Sequence, residues 1–311
     1  MSGGMKVEFH GVRGSTPCAG QQYARYGGHS SCVSVTAEGH TPVIFDLGTG
    51  LTPYGDRLGC DVPLHGAVLL THLHWDHVQG LPFFKPVHHP ASTLDVYGPR
   101  QERGSLGDAF GELMCPPFFP IRPSELNATI RFHDTGDDDF PIGQAKVRSR
   151  WVRHVGPTLG YRVELDGVSV AYISDHGPGC YDDGDDFVPE EILELCDGVD
   201  VLIHDAQHTG EEYAPKRHWG HCTYDYAVHV ARESGARTLA LFHHDPSHGD
   251  DAVDAITLRA RDLAAHLGGP EVVAASEGLV LEVGESAPVT ATTPTPDIDL
   301  RTDDRSVGMR R

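Results

Sequence analysis

Apolar positions along this chain fall into short runs broken by Gly, Pro and Asp. Val7-Glu8-Phe9 alternates in the manner of a half-buried strand. The runs 32–37 and 42–46 flank Glu38-Gly39-His40 and predict a hairpin. Ala67-Val68-Leu69-Leu70 is apolar throughout, which suits a strand covered on both faces, and it leads directly into His72. Three later runs repeat this arrangement: 168–173 stops near Asp175, 201–203 before Asp205, and 238–242 before His243. Polar, chemistry-bearing residues therefore gather where strands end.

Two helices are legible in the second half. One opens at Thr223, a good N-cap, carries Tyr226, Val230 and Ala231 on one side, and stops at Gly235. The other spans about 251–267, with Val253, Ile256, Ala260, Leu263 and Leu267 at helical spacing before Gly268-Gly269-Pro270. The pairs Val272-Val273 and the run 279–283 read as closing strands. Strands and helices alternate in both halves, which predicts layers of sheet covered by helices. From Gly284 the Pro/Thr-rich sequence has no periodicity, so 1–283 is expected as one domain and 284–311 as a flexible tail.

Composition narrows the function. No apolar stretch reaches the roughly 20 residues that span a bilayer, and Met1-Ser-Gly-Gly-Met5 does not read as a signal peptide, so a cytoplasmic protein without membrane contact is expected. The seven cysteines form no Cys-x-x-Cys pair and are expected as buried free thiols. A net charge of −21, with lysine only at 6, 85, 146 and 216, disfavours long nucleic acid as a partner. The acidic runs Asp137-Asp138-Asp139 and 182–186 are expected as solvated loops.

The run Thr71-His72-Leu73-His74-Trp75-Asp76-His77 places four candidate ligands directly after a buried strand. Imidazole and carboxylate suit zinc and similar divalent ions, and a turn beyond a strand can aim alternate side chains into one pocket. Further candidates at strand ends are His154, before Gly156-Pro157, then Asp175, and His243 with His244 as its rival.

This ordered set, together with Asp46-Leu47-Gly48-Thr49-Gly50, resembles the metallo-β-lactamase superfamily, and within it the branch of tRNase Z and related phosphodiesterases; the likeness covers about residues 5–283. The resemblance implies an αββα sandwich, two mixed sheets face to face with helices outside. It implies His72, His74 and His154 around one metal, Asp76, His77 and His243 around the other, and Asp175 between them. Asp76 thereby also belongs to the catalytic group. Two Zn2+ are implied, with Mn2+ or Fe as substitutes, and a water between them as nucleophile. Asp46 is expected to orient a ligand. His74 stands where the flavodiiron relatives carry glutamate, which favours hydrolysis over redox chemistry.

Trp219-Gly220-His221-Cys222-Thr223 resembles the Gly-His-Ser-Thr segment of the tRNase Z branch and implies His221 as general acid. Cys222 replaces the usual serine. Tyr172 stands where some tRNases Z carry an acidic partner for that histidine, so Asp205 or Glu212 is expected to substitute. The stretch 176–198, where tRNases Z insert a basic arm, holds no Lys or Arg. A small nucleotide-like phosphodiester is the expected substrate, with Arg13 and Ser31 as contacts, and a homodimer is an option that relatives suggest. Three other readings share the metal ligands: a lactone, thioester or lactam hydrolase, a tRNA 3′-processing endonuclease, and a nucleotide-binding protein without turnover.

Overall fold

A computed structural model describes residues 4–178, 187–284 and 289–292. The first sheet contains β1 (Met5–Gly11), β2 (Cys32–Thr36), β3 (Val43–Phe45), β4 (His65–Leu69), β5 (Thr93–Pro99) and β6 (Thr129–Thr135). The second contains β7 (Asp138–Ile142), β8 (Ala145–Trp151), β9 (Leu159–Leu165), β10 (Val168–Ile173), β11 (Val201–Asp205), β12 (Thr238–Phe242) and β13 (Glu271–Ala274). The chain then returns to the first sheet as β14 (Val280–Val283) and β15 (Thr290–Thr292). The orders are β15-β14-β1-β2-β3-β4-β5-β6 and β13-β12-β11-β10-β9-β8-β7. Both sheets are mixed: β3 to β6 and β10 to β13 run parallel, and their neighbours pair antiparallel.

The uninterrupted apolar runs have a simple cause. Successive strand residues point to opposite faces, and both faces of each central strand are covered. Ala67 and Leu69 of β4 enter the core between the sheets, whereas Val68 and Leu70 pack beneath α1 (Leu51–Leu58) and α2 (Leu106–Leu113). In β10, Val170 and Tyr172 face inward, while Ala171 and Ile173 meet α3 (Glu190–Cys196), α5 (Tyr224–Glu233) and α6 (Asp250–Leu267). The short α4 (Gly210–Lys216) lies between β11 and α5. Three apolar layers result, and this is the αββα sandwich.

The two legible helices form with their expected caps: the Thr223 side chain accepts from Tyr226 N, and Gly268 ends α6 at φ 63°. Other expectations change. Asp138 and Asp139 lie in β7 instead of a loop, with Asp139 paired to Arg148 and Arg150. Thr290–Thr292, inside the expected tail, pair with β14, because the edge of a sheet offers unpaired backbone groups to any nearby extended segment. Among the described cysteines, Cys32, Cys196 and Cys222 are buried, but Cys60 is exposed. The acidic run 182–186, Cys180 and most of 284–311 lie outside the described residues. No helix among the described residues is long and apolar enough to cross a membrane.

His10, buried at the end of β1, is held in one neutral form. Arg57 donates to its Nδ1 at 2.8 Å, so Nε2–H must donate to Ser34 Oγ, also at 2.8 Å, while Tyr54 stacks on the ring at 4.0 Å. Burial and then the Arg57 charge lower its pKa from 6.5 to about 3. The unfolded chain therefore binds a proton that the fold refuses, and His10 destabilises the protein progressively as pH falls from 6.5 towards 3. In chelator-treated protein, the stability of His10→Gln measured by urea denaturation is expected to fall less steeply than wild type over that window, by up to about 1 kcal/mol per pH unit; parallel curves would refute the assignment.

Candidate metal centre

The candidate residues leave the ends of five strands, and His74, Asp76, Asp175 and His243 among them, with His221, line a cleft of 510 Å³. His72, His74, Asp76 and His77 follow β4, His154 leaves β8, Asp175 follows β10, Asp205 ends β11, and His243 follows β12. The end of β4 is fixed to the second sheet, since Tyr161 Oη donates to Leu70 O at 2.7 Å and Leu159 N to Thr71 O at 2.9 Å.

Asp175 divides the cluster. Its Oδ2 faces His72 Nε2 at 3.7 Å and His154 Nε2 at 3.6 Å, and His74 Nδ1 lies 3.2 Å from His154 Nε2. Its Oδ1 faces His77 Nε2 at 3.2 Å and His243 Nε2 at 3.4 Å. Asp76 Oδ2 completes that second group, 3.1 Å from His77 and 3.2 Å from His243. Each group alone could hold a cation.

Outer contacts aim the rings. His77 Nδ1–H donates to Asp46 Oδ2 at 2.8 Å and His154 Nδ1–H to Gly220 O at 2.6 Å, leaving each Nε2 with its lone pair turned inward; His72 Nδ1 is likewise engaged by Thr71 Oγ1 at 3.0 Å. Buried His72 Nε2, His77 Nε2 and Asp175 Oδ1 have no hydrogen-bond partner. Orphaned buried acceptors are costly unless something occupies them, and a divalent ion suits this donor set.

The electrostatics agree. Burial, reinforced by neighbouring imidazoles, keeps His72 well below its usual range; burial likewise lowers His74, and His154 to about 4. Burial opposes ionisation of Asp76 and Asp175, yet surrounding histidines hold both well below the carboxylate range. In return the carboxylates, against the effect of burial, raise His77 and His243. The half of the cluster containing Asp76 thus attracts positive charge, which a bound cation would supply while displacing protons.

Backbone strain collects here. Of the four non-glycine residues with positive φ among the described residues, Ser15 (62°), Asp46 (59°) and His243 (60°) border the cluster. A Cβ on Gly14 would strike the His243 ring, and one on Gly220 the His154 ring, so the ligand rings need glycine beside them.

His221 stands just before α5, with Nδ1 bonded to Asp205 Oδ2 at 2.8 Å and 3.8 Å from Asp175 Oδ2. The rivals separate cleanly. Glu212 caps α4 through Thr209 and pairs with His248, so it does not partner His221. His244 Nε2 donates to Ala275 O, away from the cluster. Cys222 takes over a hydroxyl's bonding, its thiol donating to Asp205 O at 3.1 Å.

Arg13 and Ser31, expected as substrate contacts, are fully buried and do not line the cleft. Arg13 is a bolt, donating to Gly27 O and His248 O and packing over Tyr23. Ser31 lies beneath the loop of Gly48, whose N–H its carbonyl accepts. Sequence reasoning passed over Ser15 and Trp75, which line the cleft, and Gln207, whose amide bonds to Ser15; Gln207 stands two residues beyond a strand-end aspartate, a signal that was available.

Strand-end histidines and carboxylates at one edge of an αββα sandwich define a metal-dependent hydrolase. A profile of the beta-lactamase superfamily domain matches residues 51–244. Ribonuclease Z of Haloarcula marismortui is 27% identical over 312 aligned positions, covering 88% of this chain and 96% of that protein. Ribonuclease Z of Halobacterium salinarum is 30% identical over 223, covering 60% and 72%. The metallo-beta-lactamase fold protein YhfI of Bacillus subtilis superposes with a TM-score of 0.68 at 19% identity, covering 91% of this chain and all of that one. The chain belongs to the metallo-β-lactamase superfamily, in its tRNase Z-like branch.

Asp46 accepts from Thr71 N, Thr71 Oγ1 and Tyr172 Oη as well as His77. Asp46→Ala strands these donors and is expected to cost about 3 kcal/mol in chemical denaturation of chelated protein, against about 1 kcal/mol for Tyr172→Phe. An Asp46→Ala protein as stable as wild type would show that the carboxylate does not hold this loop.

Proposed function

We propose that this protein is a two-metal phosphodiesterase acting on a small, nucleotide-like diester. His72, His74 and His154 would hold one ion and Asp76, His77 and His243 the other, with Asp175 lying between the two groups. Zinc suits these ligands best. A bound pair would supply an activated water and neutralise charge on the attacked phosphorus.

The observation that carries the reading is the Asp205–His221 pair at 2.8 Å on the cleft. Asp205 holds Nδ1–H and stabilises the imidazolium, which leaves Nε2–H to protonate the departing oxygen. The ring is then neutral, still fixed by Asp205, and regains its proton from water. A thioester hydrolase with the same ligands has less use for such an acid, because a thiolate departs readily without a proton. The ribonuclease names of the relatives also support phosphodiester cleavage.

Those names support tRNA processing as a second reading. The net charge of −21 and the absence of Lys and Arg from 176–198 favour the smaller substrate.

The test uses two leaving groups. Zinc-loaded protein is expected to hydrolyse both bis(p-nitrophenyl) phosphate and a cyclic nucleotide, and chelation abolishes both activities. His221→Ala is expected to lose about 10²–10⁴-fold in kcat on the cyclic nucleotide but much less with p-nitrophenolate, which departs without a proton. Turnover of a thioester or lactone with both diesters untouched would overturn the proposal, and efficient cleavage of precursor tRNA alone would replace it with the second reading.

A further inference from the structure

The loop between β1 and β2 reaches the cleft at Ser15, and its anchoring is unusually thorough. Arg13 fixes its base, Gly14 fits against the His243 ring, and Ser15 is held at φ 62°, a conformation that a residue with a Cβ adopts only when its surroundings impose it. Two bonds impose it here. Ser15 N–H donates to Asp76 Oδ2 at 2.7 Å, and Ser15 Oγ accepts from Gln207 Nε2 at 3.2 Å. Gln207 is itself buried, with its backbone N–H on Asp205 Oδ1 at 2.9 Å. A continuous chain therefore runs from Asp76 through Ser15, Gln207 and Asp205 to His221.

The direction of these bonds matters. An amide N–H occupies a lone pair of Oγ, so the serine proton is free, and Ser15 is exposed on the cleft wall. The hydroxyl is thereby set to donate to a group that only accepts. A non-bridging phosphoryl oxygen is such a group, and among the described residues no Lys or Arg lines this cleft to compete for it.

We propose that Ser15 Oγ–H donates to a non-bridging oxygen of the substrate's phosphoryl group, and that Gln207 is the positioning residue that turns the hydroxyl towards it. This rests on the phosphodiesterase reading and adds a neutral donor to it. Charge grows on the phosphoryl oxygens as the water attacks, so the bond strengthens when it is most useful.

The experiment uses the full zinc-loaded chain as wild type, Ser15→Gly, Ser15→Ala, Gln207→Glu and Gln207→Met, with zinc content, kcat and KM on bis(p-nitrophenyl) phosphate, and calorimetric binding of inorganic phosphate. Ser15→Gly keeps the N–H on Asp76 and relieves the backbone; Ser15→Ala controls for the freedom that glycine adds. Both are expected to keep wild-type zinc content, lower kcat/KM by about 10- to 100-fold and weaken phosphate binding by about 10-fold. Gln207→Glu should match them, because its carboxylate captures the serine proton. Gln207→Met, which neither donates nor accepts well, should fall between.

Phosphate binding and turnover within twofold of wild type in Ser15→Gly would overturn the proposal, as would loss of zinc in both Ser15 variants, which would reduce Ser15 to a support for Asp76. A fully active Gln207→Glu would overturn the role of Gln207. Serine-dependent phosphate binding without diester turnover would sustain the contact and remove the phosphodiesterase reading. Diester turnover indifferent to Ser15 would do the reverse, and absence of both binding and turnover would remove the two together.

Discussion

Everything at this site turns on one carboxylate with two faces. Asp175 sends Oδ2 towards His72 and His154, and Oδ1 towards His77 and His243. A buried carboxylate without compensating charge is one of the most expensive groups a protein can hold, so Asp175 is stable only while positive charge stands on both sides. Histidine protons can provide part of that charge, and divalent ions provide it more completely. The architecture follows from this demand: β10, which carries Asp175, lies inside the second sheet, with β9 on one side and β11 on the other.

Holding so many lone pairs towards one point requires an outer ring of fixed contacts. Asp46 is its hub, because a single buried carboxylate engages the loop after β4 at Thr71, the ligand ring at His77 and the core at Tyr172. Tyr172 in turn stacks on Phe45 at 4.6 Å, so the aromatic packing between the sheets fixes the hydroxyl that fixes Asp46. Core and chemistry are therefore not separable here. The positive φ angles of Asp46 and His243 are the local cost, tolerated because several bonds overdetermine each residue.

Most of this was legible in the sequence where a local rule governs. Continuous apolar runs gave the covered strands, Thr223 and Gly268 gave the helix ends, and the polar residues after each run gave the cluster. Tertiary context decided the rest. Arg13 looks like an anion contact, since an arginine beside glycines so often is one, but its guanidinium is buried, with Nε on Gly27 O, Nη1 on His248 O and Nη2 facing Asp250 at 4.0 Å. His243 and His244 are indistinguishable in sequence; the left-handed turn at His243 swings one ring inward and sends its neighbour to Ala275. Asp205 and Glu212 are likewise equal candidates until α4 claims Glu212 for its own cap.

The charge distribution bears on what such a cleft admits. With a net charge of −21, the far field repels anions, and each additional phosphate on a ligand meets that repulsion again. Near the cluster bound cations would reverse the balance, because their charge is felt strongly over a few ångströms and screened beyond roughly 8 Å at physiological ionic strength. A diester with one negative charge crosses the repulsive field once and gains the whole short-range attraction. A long polyanion gains the same attraction at one phosphate while many others remain in the repulsive field, and it needs a basic surface elsewhere to compensate. On the proposed reading, a preference for small diesters would follow from charge placement.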